Sequence, residues 1–120
     1  MEEKITVDPK DAQDNKIMGI LAYLGILVLV PIFAAKDSPF AKYHANQGLV
    51  LCIVVIALSI VLAILTPIFA FVSLALVVLT GLLNAVVGIG ALVFVIIGII
   101  NAAKGEMKPL PLIGKFTILK

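Results

Sequence analysis

Apolar residues run through this chain in long stretches, parted by short polar links and closed at both ends by charged tails. Residues 17–35 form the first stretch. Its 19 residues would rise about 28 Å as one helix, close to the ~30 Å hydrocarbon core of a bilayer. Pro31 lies one turn from its end, where a kink is tolerated in lipid. Ser38-Pro39 then reads as an N-cap followed by Pro at the first helical position, and predicts a second helix over residues 39–65. At about 40 Å that helix outruns the apolar core, so its first two turns stand at headgroup level. Thr66-Pro67 breaks it. The next 36 residues, 68–103, are uncharged and would make about 54 Å of helix, too much for one crossing. Thr80-Gly81 and Asn84 offer a second break. Residues 68–83 then predict a short third span of about 24 Å, and the chain up to Ala103 a fourth.

The expected fold is therefore all-α: a polytopic membrane helix bundle of four transmembrane helices with a short third, the alternative being three spans plus a half-helix. A polar N-terminal tail covers residues 1–15, a transmembrane helical domain residues 16–105, and a cytoplasmic, membrane-surface tail residues 106–120. Within the N-terminal tail, Asp8-Pro9 with Asp11 carries the signature of a helix start, although a solvated tail is the plainer reading. Lys104-Gly105 suits a helix end. In the last tail, Leu110, Leu112, Ile113, Phe116 and Ile118 alternate with lysines and prolines, as in a segment that dips into a membrane surface.

The last apolar segment has a second pattern. Gly81, Ala85, Gly88, Ala91, Gly98 and Ala102 recur at spacings of three, four or seven and fall on one stripe of a helix, with Val95 completing it. In lipid such stripes let helix backbones approach closely, so this reads as a helix-packing stripe facing its own bundle or a second copy.

Composition removes the soluble alternative. Hydrophobic residues make up 62% and charged residues 13%, and no Asp, Glu, Lys or Arg occurs between Lys42 and Lys104. Soluble domains hold about 25% charged residues, spread over most elements. The N-terminus carries five acids and three lysines before residue 17, unlike the basic start of a secretory signal, so the first apolar segment is expected to stay. All nine basic residues are lysines. Without arginine there is no bidentate contact to phosphate or guanine, and no nucleic-acid partner is expected. Cys52 and His44 are the only cysteine and histidine, which makes no zinc site and no disulfide.

Lysines also orient the chain. With four spans both tails share a side and hold seven lysines against two in the first loop. With three, the first loop and C-tail hold six against three. Lysines mark the cytoplasmic side, which puts the C-terminus inside in either case and, with four spans, the N-terminus as well. The expected location is the cell membrane, multi-pass.

Candidate chemistry is sparse. No ionisable residue lies in mid-span, where a proton-coupled exporter needs one. Ser59 and His44 share one predicted helix about 22 Å apart and cannot meet as nucleophile and base. No catalytic, cofactor-binding or metal-binding set emerges. One polar interfacial cluster does: Tyr43, His44, Asn46 and Gln47 at the start of the second helix, with Asn84 as its facing amide. His44 and Gln47 are i and i+3 on one helix face. They form either an interfacial collar or a polar lock, in which His44 and Gln47 turn inward and bond an Asn of a neighbouring helix.

The run Lys42-Tyr43-His44-Ala45-Asn46-Gln47-Gly48-Leu49 resembles the His-Ala-x-Gln signature of a family of small bacterial and archaeal membrane proteins. That family is similar to the twenty-kilodalton subunit of the chloroplast inner-envelope protein translocon. Ile99-Ile100-Asn101-Ala102-Ala103-Lys104-Gly105-Glu106 and Pro111-Leu112-Ile113-Gly114 resemble its end. The resemblance implies four membrane helices with both termini inside, and an import-component-like role. The reading reached is a non-enzymatic integral membrane scaffold or accessory subunit acting through helix packing. Its partners are the lipid bilayer and a second copy or another membrane protein, with no cofactor. The alternative is a small oligomeric channel or carrier for a neutral or apolar solute, which a polar stripe of Ser59, Thr66, Ser73, Thr80, Asn84 and Asn101 around a cavity would favour.

Overall fold

The computed structural model describes residues 7–119. Residues 1–6 of the polar tail, and Lys120, lie outside the described residues. The solvated tail expected before the first apolar stretch is corrected over residues 9–14, which form helix α1 (Pro9–Asp14) as the Asp8-Pro9 signature allowed: Asp8 is its N-cap and accepts from the Lys10 amide at 3.0 Å. Helix α2 (Lys16–Leu21) follows, then a turn of 3₁₀ helix (Gly25–Val28) and α3 (Leu29–Ala34). Two long helices complete the chain, α4 (Pro39–Ala70) and α5 (Leu74–Ala103). At 32 and 30 residues they rise about 48 and 45 Å and form an antiparallel hairpin in a molecule 57 × 29 × 20 Å.

Among the described residues two helices, not four, are long and apolar enough to cross a membrane. Each departure from the sequence expectation has a physical cause. Residues 17–35 do not form one helix. Gly25 has φ +64°, in the left-handed region open to glycine, and the chain turns there. From Lys16 to that turn a helix would reach only about 15 Å, half an apolar core. The segment then comes back, because Asp11 at its start bonds Ser38 and Phe40 at its end. It is a doubled-back hairpin beside α4 and α5.

Pro67 does not end α4. The missing amide falls four residues from the helix end, and the Thr66 hydroxyl donates to the Leu62 carbonyl at 2.7 Å, giving the chain a local partner there. The break comes instead at residues 71–73, where Ser73 caps α5 by accepting from Leu76 N at 3.2 Å. The second predicted break, at Thr80-Gly81 and Asn84, lies inside α5. Thr80 donates to Val77 O at 2.8 Å and Asn84 to Thr80 O at 2.9 Å, so both polar side chains are satisfied by their own helix. The predicted third and fourth spans are one helix, lengthened at its C-terminal end by turns that lie in the packed head of the molecule.

That head is where the core sits. Ala12, Ala22, Tyr23, Val28, Phe40, Ala45, Leu51, Ala102 and Leu110 are buried together. Two glycines make room for it. A methyl at Gly48 would run into the backbone of Ala22, and one at Gly98 into the ring of Tyr23. The tip of the doubled-back segment thus enters between α4 and α5 at two positions that admit no side chain. The far half of the hairpin has no such cover: Phe71 is 93% exposed and Leu74 78%. Every charged residue among those described lies at the head end, and the turn Phe71-Val72-Ser73 carries none.

Candidate functional site

The site forms where the first turns of α4 meet the doubled-back segment and the C-terminal tail. Ser38 caps α4, accepting from the Ala41 amide at 3.0 Å. Its hydroxyl in turn donates to Asp11 Oδ1 at 2.6 Å, and the Phe40 amide donates to Asp11 Oδ2 at 2.9 Å. A carboxylate from α1 therefore sits on the N-terminus of α4, where unpaired amides and the helix dipole favour negative charge. Burial works to raise the Asp11 carboxyl. The hydrogen bonds from Ser38, Phe40 and Asn15 outweigh it and hold the group below its ordinary 3.8.

One turn further along, His44 is fully buried. Its Nε2 stands 2.7 Å from the carbonyl oxygen of Glu106, and its Nδ1 2.6 Å from the hydroxyl of Tyr23. A carbonyl only accepts, so Nε2 carries the proton and Nδ1 accepts from Tyr23. The rings of Phe40, Tyr23 and Tyr43 meet the imidazole edge-on at 4.7, 5.5 and 5.5 Å between centroids. His44 thereby joins three parts of the chain: the doubled-back tip, α4 and the tail.

Asn46 and Gln47 hold the tail by its backbone. Gln47 Nε2 donates to Gly114 O at 3.0 Å, and its Oε1 accepts from Leu110 N at 2.9 Å. Asn46 Nδ2 donates to Phe116 O at 2.9 Å, and its Oδ1 accepts from Ile118 N at 2.6 Å and Leu119 N at 3.0 Å. Each amide presents one donor and one acceptor, the same pair a peptide group presents, so an irregular tail is satisfied as it would be in a sheet. Leu110 is 2% exposed and turned into the core, while Leu112 is 86% exposed. The tail is thus seated on α4 rather than lying apart from it. α5 hands over to it as Lys104-Gly105 predicts, with Gly105 at φ +72° and Glu106 N donating back to Asn101 O at 2.9 Å.

The structure brings Tyr43, His44, Asn46 and Gln47 together and leaves Asn84 out. Asn84 bonds its own helix at Thr80, 17 residues or about 25 Å up α5 from Asn101. The lock predicted between Gln47 and an Asn of a neighbouring helix is replaced by bonds to tail backbone. The stripe on α5 divides. Gly98 receives the Tyr23 ring and Ala102 is buried, Ala91 is half-buried, Ala85 is exposed, and a methyl at Gly81 or Gly88 would meet nothing within 4 Å. Sequence reasoning missed Tyr23 and Asp11. Tyr23 had a signal: it is the only side chain with a polar atom capable of a strong hydrogen bond in residues 17–35. Asp11 had none, because its partners lie 27 and 29 residues away.

These features define a small all-α protein of the membrane class, built on a two-helix apolar hairpin with a polar head in which α1 and the C-terminal tail are fastened. The particular family follows from comparison with known proteins. The chain belongs to the magnetosome magnetite crystal formation protein family, whose model matches residues 14–117. It is 31% identical to the magnetosome protein MamF of Paramagnetospirillum magneticum over 103 residues, 86% of this chain and 82% of that one. It is 41% identical to MamF of Magnetospirillum gryphiswaldense over 54 residues, 42% of this chain and about half (49%) of that relative. It is 43% identical to the magnetosome protein MmsF of Paramagnetospirillum magneticum over 35 residues, 29% of this chain and 33% of that one. No solved structure matches the chain. The resemblance to the chloroplast import-component family is thereby corrected: the family match and the MamF relatives place the chain elsewhere, and the His-Ala-Asn-Gln run that suggested it is the seat of the tail.

Proposed function

We propose that this chain is a non-enzymatic accessory protein of the magnetosome membrane that takes part in magnetite crystal formation by packing its helical hairpin laterally against a second membrane helix. Family membership supports the crystal-formation setting. The observation that carries the packing role is the uncovered face of α5: Gly81, Ala85 and Gly88 stand open on a helix whose apolar side chains are largely exposed. Small residues in lipid favour close backbone approach, and a second helix would complete the contact. The head, with its charges, α1 and the seated tail, would face the cytoplasm, since lysines mark that side.

The second reading is a small channel or carrier. Thr66, Thr80 and Asn84 each donate to a carbonyl of their own helix, which takes three of the six polar positions from the lining that reading relied on.

The test is functional. The chain, carrying a fluorescent tag, is expressed in a Paramagnetospirillum magneticum strain lacking its MamF. Fluorescence on the magnetosome membranes with a shift in crystal dimensions under the electron microscope is the expected result. Fluorescence elsewhere and unaltered crystals would overturn the proposal.

A further inference from the structure

The doubled-back segment adds bulk to one end of the hairpin only. Its outgoing limb, α2, packs on both α4 and α5, and its returning limb, α3, packs on α4 and α2. Tyr23 and Gly25 at its tip share a cavity of about 160 Å³ with Val55 and Ile56 of α4 and Ala91 of α5. Val55 stands about 24 Å along α4, half the helix's length of about 48 Å. Beyond that level the two long helices run without cover: Ile60, Ile64, Phe71, Leu82 and Val86 are all exposed.

The segment suits lipid. Residues 17–35 hold no charged side chain, and Ile17, Ile26 and Phe33 stand exposed. Charge returns only at its base, with Lys16 and Lys36. Its limbs are largely helical, which satisfies their backbone groups without water. Such a segment lies in the apolar layer beside the head half of α4 and α5, and it stops before the other half.

Cross-section follows from this. A helix with its side chains is about 10–12 Å across, so each occupies about 100 Å² of a leaflet. The leaflet on the head side holds four helical limbs and the other holds two, about 400 Å² against about 200 Å². A flat bilayer gives both leaflets the same area, and a body of this shape fits it poorly. A bilayer bent convex on the head side gives that leaflet the greater area and relieves the misfit.

We infer that the chain is a one-sided wedge that favours membrane bent convex toward its polar head, its partner being the curved lipid surface itself. The inference rests on the bilayer reading proposed above, in which α4 and α5 cross. Insertion that is confined to one leaflet makes membrane association sensitive to curvature.

Tethers pulled outward from giant vesicles of phosphatidylcholine test it, the neutral lipid removing any part played by headgroup charge. In a Cys52→Ser background, Asp37→Cys labelled from outside with an impermeant fluorescent thiol reagent marks chains whose heads face out. Val72→Cys labelled in the same way marks chains whose heads face in. An outward tether is convex on its outer face. Asp37→Cys fluorescence, measured against a lipid dye, should be enriched in the tether about twofold or more over the vesicle body, and Val72→Cys fluorescence depleted to a similar degree. Even partition of both labels would overturn the wedge, as would enrichment of both alike or the opposite sign. Labelling of both positions to completion from outside would remove the membrane-crossing hairpin and the wedge with it, whereas a hairpin labelled from opposite sides that partitions evenly removes the wedge alone.

Discussion

The hydroxyl of Ser38 donates to the carboxylate of Asp11 at 2.6 Å, across 27 residues of chain, while accepting the Ala41 amide at 3.0 Å. One serine therefore caps α4 and closes the base of the doubled-back segment. Because the Asp11 carboxyl is held below its ordinary value, its contribution is complete above about pH 4. It fades as pH falls through the lowered folded value. Hydrogen exchange of residues 9–38 should stay slow down to about pH 4 and quicken below it. Asp11→Ala should show the quickened exchange at neutral pH, with a loss on the order of 1–2 kcal/mol and no acid transition in this segment. An acid transition of unchanged size in Asp11→Ala would show that another group closes the segment.

The tail should come away when its seat is removed. Gln47→Leu leaves Leu110 N and Gly114 O without their partner, at about 1–3 kcal/mol. Trypsin cleavage after Lys115 should accelerate several-fold. Asn84→Leu should not change the cleavage rate, because that amide bonds its own helix. Equal rates in the two variants would argue that Asn46 alone seats the tail.

Tyr23→Phe deletes the donor to His44 Nδ1 and leaves a buried acceptor unpaired, a loss of about 1–2 kcal/mol by thermal unfolding in detergent. In a His44→Leu background the same change should have a much smaller effect, since the partner is already gone. Additive losses would mean that the 2.6 Å contact contributes nothing specific.

Glycines on one stripe of α5 should behave differently. Gly98→Leu meets the Tyr23 ring and should destabilise the head by about 1–3 kcal/mol or more. A Cβ at Gly88 meets nothing within 4 Å, and Gly88→Leu should leave the unfolding of the chain unchanged. Under the proposed lateral packing, Gly88→Leu should weaken detergent-resistant assembly while Val93→Leu does not. Equal assembly in those two would remove the packing role.

In the hairpin, the link before α4 and the C-terminal tail share a side and the turn at Val72 lies opposite. In a Cys52→Ser background reconstituted in vesicles, Asp37→Cys and Lys108→Cys should react with an impermeant thiol reagent from one side and Val72→Cys from the other. Labelling of Asp37→Cys and Lys108→Cys from opposite sides would restore the four-span arrangement.

Local signals in the chain were enough for what depends on neighbours in sequence. Asp8-Pro9 and Ser38-Pro39 mark helix starts and Lys104-Gly105 a helix end, because caps join residues two to five apart. The uncharged run after Lys42 requires an all-helical, apolar architecture whatever the partners. Tertiary structure decided the rest. Residues 17–35 have the length and apolarity of a span, yet they double back, because Gly48 and Gly98 admit the tip and Asp11 holds its base. Thr66-Pro67 and Thr80-Gly81 look like breaks, yet own-helix carbonyls accept the hydroxyls and the helices continue. The run from Tyr43 to Gln47 is visibly polar in an apolar chain. That it seats the chain's own tail depends on backbone groups 62 to 73 residues away, and backbone groups are the same for every sequence, so nothing in the tail's side chains announces them.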